Sequence, residues 1–203
     1  MTLFRTLAYL SPFAVGFGVA AALALTAGRP PRRRAVAAGG VAGGVLGLLL
    51  VASFADSPKQ WLPLALLLVS FAMLIAGLYL LGEALRAPRE VSQIFSGLVV
   101  CLLMSTVFVF GPIIRNSADT GASGEVISRR IGLMMDVSPL MVMGESIFAE
   151  DLLHKPYIYR LDLAGYQHPD PSWAASSAGY ALAGAALAGL AVALRRLFRG
   201  RTP

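Results

Sequence analysis

Few side chains in this chain are capable of chemistry, and their spacing limits what that chemistry could be. Glu150, Asp151 and His154 lie three or four residues apart, which on a helix brings a carboxylate and an imidazole to one face, the beginning of a metal site. A catalytic zinc needs a third protein ligand, and a di-iron bundle needs Glu-x-x-His elements paired on separate helices. One copy meets neither requirement, so capping or surface pairing is the expected role, and His168 could join the group only through the fold. Asp136, Glu145 and Arg130 form a second set, from which a small membrane enzyme working with outer-surface carboxylates could be built. Charges on the polar face of an amphipathic segment account for them more simply.

Other chemistries lack their residues. Both histidines lie outside the apolar stretches and no Cys-x-x-Cys-His is present, which argues against haem. There is no glycine-rich phosphate loop, no Gly-x-Ser-x-Gly elbow and no His-Glu-x-x-His. The lone cysteine, Cys101, can form no intrachain disulfide and reads as a packing residue. The expectation is a protein that is not an enzyme and uses no cofactor and no metal.

The elements that must carry these residues belong to a membrane. Hydrophobic residues make up 57% of the chain and charged residues 14%, against about 25% charged in an ordinary soluble domain. A bilayer core of about 30 Å takes roughly 20 apolar residues in a helix, since each rises 1.5 Å and only a helix satisfies its own backbone there. Stretches of that kind run from Leu7 to Ala27, Ala35 to Phe54, Leu62 to Leu81, Val91 to Ile113 and Ala174 to Leu194. None has an ionisable residue in its interior, which argues against proton pumps, ion-coupled transporters and voltage sensors. The first stretch fits a cleaved signal poorly, because its apolar run is long and Leu25 stands where a small residue is wanted, so it reads as a retained helix.

The net charge of +6 is concentrated at helix ends. Arg29, Arg32, Arg33 and Arg34 follow the first stretch, Arg86 and Arg89 join the third to the fourth, and Arg195, Arg196, Arg199 and Arg201 follow the fifth. The positive-inside rule places all three groups in the cytoplasm, with the amino terminus outside and the carboxyl terminus inside. These clusters read as signals for orientation in preference to surfaces that recognise nucleic acid or anionic lipid. The segment Ile114 to Trp173 then lies outside.

Small residues suggest how the helices associate. Gly39, Gly43 and Gly47 recur at a spacing of four, and Ala181, Ala185 and Gly189 repeat the pattern in the last helix. Such stripes let backbones approach closely, within a compact bundle or against a partner subunit. Outside, Asn116 to Gly124 reads as a loop, and Glu125 to Met135 as a helix with Ile127, Ile131, Met134 and Met135 on one face. Ser138 and Pro139 start a second helix reaching about His154, with the hydroxyl as cap and proline in the first turn. Lys155 to Trp173, rich in proline and tyrosine, forms an extended cap. Pro139, Met141, Met143, Tyr157, Tyr159, Tyr166 and Trp173 are the candidate contacts of this outer segment with a partner or the membrane surface. The methionines form either an adaptable contact face or a surface buried against the bundle or bilayer.

From about Phe110 to Arg201 the chain resembles the end of permease subunits of the ABC-2 type. The residues concerned are Val137-Ser138-Pro139-Leu140, the tyrosine-rich stretch Tyr157 to Tyr166, Pro171-Ser172-Trp173 before the last helix, and Arg195-Arg196-Leu197-Phe198-Arg199 at its end. That family has six helices with both termini inside, whereas five are counted here, and its charged segment that couples to an ATPase has a short counterpart in Glu83 to Glu90. The resemblance implies a reduced relative whose ATPase is a separate polypeptide.

The expected fold is an all-α membrane protein of about five transmembrane helices with an extramembrane cap between the fourth and fifth. Residues 1–113 make a four-helix membrane region, 114–173 an extracytoplasmic cap, and 174–203 the last helix with a basic tail. The expected function is a non-enzymatic, multi-pass subunit of a bacterial inner membrane that acts with lipids and other membrane proteins, such as the permease part of an exporter, and not with nucleic acid. The alternatives are an accessory subunit of a respiratory or photosynthetic complex, and the small membrane enzyme.

Overall fold

In the computed structural model, residues 3–53, 58–154, 163 and 169–199 are described. The regular elements among them are all helical: α1 (Leu3–Leu25), α2 (Pro31–Ser53), α3 (Pro58–Ala84), α4 (Arg89–Met104), α5 (Thr106–Asp119), α6 (Gly124–Val137), α7 (Pro139–Met141), a π-helical turn (Val142–Ile147) and α8 (Trp173–Arg199). Four of these, α1, α2, α3 and α8, are long and apolar enough to cross a membrane, and the bent pair α4 and α5 makes a fifth span if counted as one. The protein is an all-α, multi-pass membrane protein.

The chain divides into two compact units, Met1–Val100 with Ser177–Pro203, and Cys101–Ser176. In the first, α3 supplies the central ridge. Leu64, Leu67, Leu68, Phe71, Ile75 and Tyr79 recur at helical spacing and are almost fully buried, together with Phe4, Val15 and Val19 of α1. Helix α8 seats Tyr180 edge-on against Phe71, with ring centroids 5.6 Å apart. Contact between α3 and α8 is close enough that a Cβ on Gly184 would stand 2.5 Å from the carbonyl carbon and oxygen of Met73, and one on Gly77 would stand 2.5 Å from the Gly184 carbonyl oxygen. In lipid, dispersion between backbones at this range supplies packing that apolar exclusion does not.

The expected fourth span, Val91 to Ile113, is not one continuous helix: it breaks at Ser105. Thr106 is the physical reason the break is tolerated. Its hydroxyl donates to the carbonyls of Leu103 at 2.6 Å and Leu102 at 3.1 Å, acceptors that the helical ladder would otherwise have served. Helix α5 then continues to Asp119, through residues expected to be loop from Asn116 onward, and the turn to α6 is confined to Thr120–Ser123. The Ser117, Thr120 and Ser123 hydroxyls bond the local backbone, so polarity here marks a helix end rather than a loop.

The second unit has its own core. Val107 and Ile114 of α5 pack with Ile127, Ile131, Met134 and Met135 of α6, and with Met141, Leu152, Leu153 and Leu163. Ser138 caps α7 by accepting from the Met141 amide, and Pro139 occupies its first turn. The helix expected to run on to His154 ends early. It widens into the π-turn, where Phe148 N donates to Met143 O, and Ala149 adopts a left-handed φ of 52° that turns the chain back.

Candidate functional site

Four of the basic groups that the sequence places in three clusters, Arg34, Arg86, Arg89 and Arg195, come together at one cavity of the first unit. Gly28 beyond α1, Arg34 of α2, Glu83 and Ala84 of α3, Arg86 and Ala87 of the following turn, Arg89 of α4, and Arg195 and Phe198 of α8 line a cavity of about 500 Å³. Glu83 is its centre. One carboxylate oxygen, Oε2, accepts from Arg34 Nη1 at 2.9 Å and from Arg195 Nη2 at 2.7 Å. Arg34 and Glu83 are largely buried, with side chains 12% and 15% exposed, and Arg195 is 40% exposed.

Helix dipoles explain why these groups need each other. Arg34 lies in the first turn of α2, where a cation is disfavoured, and Glu83 in the last turn of α3, where an anion is disfavoured. Each offsets the other. The pairing still leaves a positive surplus, because the lining holds four arginines and one carboxylate. Nε and Nη2 of Arg34 are buried without an acceptor among the described residues.

Arg86 occupies an unusual position. Helix α3 ends in a Schellman arrangement, with Ala87 N donating to Gly82 O and Arg86 N to Glu83 O, and Arg86 itself has a φ of 61°. Glycine is the residue for this backbone, and an L side chain costs about 1 kcal/mol or more. An arginine stands there instead, with its guanidinium 5.3 Å from the centre of the Phe198 ring.

The stripe residues fall on open faces. Gly39, Gly43 and Gly47 are exposed, as are Gly40 and Gly44 beside them, and a Cβ on any of these would have no described neighbour within 4 Å. Of the α8 set, Ala185 and Gly189 are exposed and Ala181 is half-buried, while the residues turned into the unit are Ser177, Tyr180, Gly184 and Ala191. Gly184 and Gly77, absent from either stripe, make the close contact.

In the second unit the candidate carboxylates are occupied in holding the chain. Glu145 Oε1 accepts from the backbone amides of Leu152 at 2.6 Å and Leu153 at 3.4 Å, closing the return after the π-turn. Asp136 Oδ1 accepts from Ser172 N, and Arg130 donates to Ser117 Oγ at 2.7 Å. Asp151 pairs with the His154 ring through one oxygen and accepts from the His154 amide through the other, and both side chains are more than half exposed. Among the described residues, no three His, Cys, Asp or Glu side chains gather closely enough to hold a metal. Met134, Met135 and Met141 are buried in the core of the unit, and Met143 and Pro139 are also buried. Trp173 is half-buried, with its amide bonded to Ser146 Oγ. Tyr157, Tyr159, Tyr166 and His168 lie outside the described residues.

An apolar cavity of about 440 Å³, lined by Thr106, Phe110, Ile113, Ile114, Arg130, Leu133, Met134 and Val137, sits between α5 and α6. Fold and site together define a class: an all-α protein of membrane-spanning helices whose first unit brings four arginines to one cavity. Comparison with protein-family models, with curated proteins and with solved structures gives no match.

Proposed function

We propose that this chain is a non-enzymatic membrane subunit that works bound to another membrane protein, with α2 as the joining helix. The observation that carries the reading is a contrast between neighbours. Helix α2 is as clearly a candidate span as α1 and α3, yet 6% of its span is buried inside the chain, against 44% and 50% for theirs. Its glycines face open space. Each glycine costs a helix about 1 kcal/mol relative to alanine, and close approach of a second helix is what returns that cost in lipid. Beside Gly39 a groove of about 210 Å³ runs between Ala38 and Ala42 of α2, Val19 of α1, and Val69, Ala72, Met73 and Ala76 of α3, with apolar walls suited to a partner's side chains.

The specific form of the proposal is the permease part of an exporter in a bacterial inner membrane, its ATPase a separate chain and its arginine end in the cytoplasm. The resemblance of Phe110 to Arg201 to ABC-2 permeases supports it, and the gathering of Arg34, Arg86, Arg89 and Arg195 at one end agrees with that orientation.

The test is purification of the tagged chain from its native membrane in mild detergent, with co-purifying proteins identified by mass spectrometry. A membrane partner at fixed stoichiometry, lost in Gly43→Leu while the variant melts no lower than the parent, is the expected result. An ATPase among the partners supports the permease form, and electron-transfer or pigment proteins would replace it with the accessory-subunit reading. A chain recovered alone, indifferent to Gly43→Leu, overturns the proposal.

A further inference from the structure

We infer that the cavity around Glu83 binds the phosphate group of an anionic phospholipid. Its lining comes from the ends of membrane-length helices: the turn after α1, the first turn of α2, the last turn of α3 and its Schellman turn, the first residue of α4 and the last turns of α8. A site at that level of a span meets lipid headgroups, and basic pockets between helices are how membrane proteins hold them.

Charge and geometry point to an anion. Four arginines face one carboxylate, and that carboxylate is already shared by Arg34 and Arg195. Arg89 has no ion pair among the described residues, and Arg86 touches the face of Phe198 in place of an acid. Among the described residues, Arg86 and Arg89 are therefore the two lining arginines with no carboxylate partner. A guanidinium offers paired N–H donors that match a phosphate's oxygens. A cavity of about 500 Å³ admits a headgroup phosphate while its acyl chains lie along the helices.

The backbone at Arg86 is the second observation. A left-handed residue closing a Schellman motif is glycine's position, and strain retained at such a residue marks a function for its side chain. If position 86 served only the backbone turn, glycine would serve it better. The lipid role predicts that glycine improves the fold and weakens binding.

Delipidated protein in a neutral detergent is to be melted with added dioleoyl phosphatidylglycerol, dioleoyl phosphatidylcholine or inorganic phosphate, for the parent, Arg86→Gly, Arg89→Gln and the double variant. The expected result is protection of the parent by phosphatidylglycerol and not phosphatidylcholine, with apparent affinity falling about fivefold for each arginine removed. Arg86→Gly should melt no lower than the parent without lipid. Arg89→Gln, which breaks no ion pair among the described residues, repeats the binding test should Arg86→Gly fold poorly. Equal protection by phosphatidylcholine, or equal affinity in the double variant, overturns the inference. Protection by inorganic phosphate with none from phosphatidylglycerol assigns the pocket to a soluble phosphate and overturns the lipid.

Discussion

Arg195 Nη2 donates to Glu83 Oε2 at 2.7 Å, joining the end of α8 to the end of α3 across 112 positions of sequence. The same oxygen holds Arg34, so one carboxylate ties three helix ends of the first unit. No local pattern announces this. It arises because α3 must end where α2 begins and α8 finishes, and because a buried anion at a helix C-terminus requires cations beside it.

Glu83→Gln should therefore be among the more damaging single changes at this end. It leaves the Arg34 cation buried without a counterion, at a cost of about 2 to 4 kcal/mol. Arg195→Ala removes a more exposed partner and should cost about 1 kcal/mol or less. Thermal unfolding in detergent would order the two, and an Arg195→Ala variant less stable than Glu83→Gln would contradict the central role of Glu83.

Gly184→Leu and Gly43→Leu test the difference between a filled and an open small-residue face. Position 184 abuts the Met73 backbone, which cannot yield as a side chain can, so the variant should lose about 3 kcal/mol or fail to assemble. Position 43 faces open space, and because leucine favours a helix over glycine the purified chain should melt no lower than the parent. Equal losses at both positions would mean that α2 is packed within the chain after all.

Thr106→Val keeps shape and removes the hydroxyl that serves the Leu102 and Leu103 carbonyls. With those acceptors unmet in an apolar setting, about 1 to 3 kcal/mol should be lost. Hydrogen exchange should rise across residues 102–109. Unchanged exchange there would show that the break is held by packing alone.

Glu145→Ala frees the amides of Leu152 and Leu153 and should open the return after the π-turn, at a cost of about 1 to 3 kcal/mol. Glu145→Gln keeps an acceptor oxygen and should lose less. Limited proteolysis between 148 and 154 measures both, and a glutamine variant cut as fast as the alanine one would show that charge, not the acceptor, holds the turn.

Much was legible in the residues alone because hydropathy over twenty positions is a local property. Runs such as Leu62 to Leu81 must be membrane-length helices, since no other backbone satisfies itself in lipid. The Ser138-Pro139 start and the buried face Ile127, Ile131, Met134 and Met135 were legible for the same reason, as caps and faces are set within a turn or two. A signal for Glu83 also existed. It is one of few acids outside the 114–173 segment, and it sits at the end of an apolar span whose neighbours end in arginine.

Sequence by itself determined that this is an all-α membrane protein, where its long helices lie, and that its arginines belong at their ends. Tertiary structure alone decided that Val91 to Ile113 breaks at Ser105, and that Gly184 rather than Gly189 meets α3. It also decided that Arg34, Arg86, Arg89 and Arg195 share one cavity with Glu83. The physical reason is range. Helix formation and lipid partition are settled by neighbours in the chain, whereas a helix's inward face and the partner of a charge depend on residues a hundred positions away.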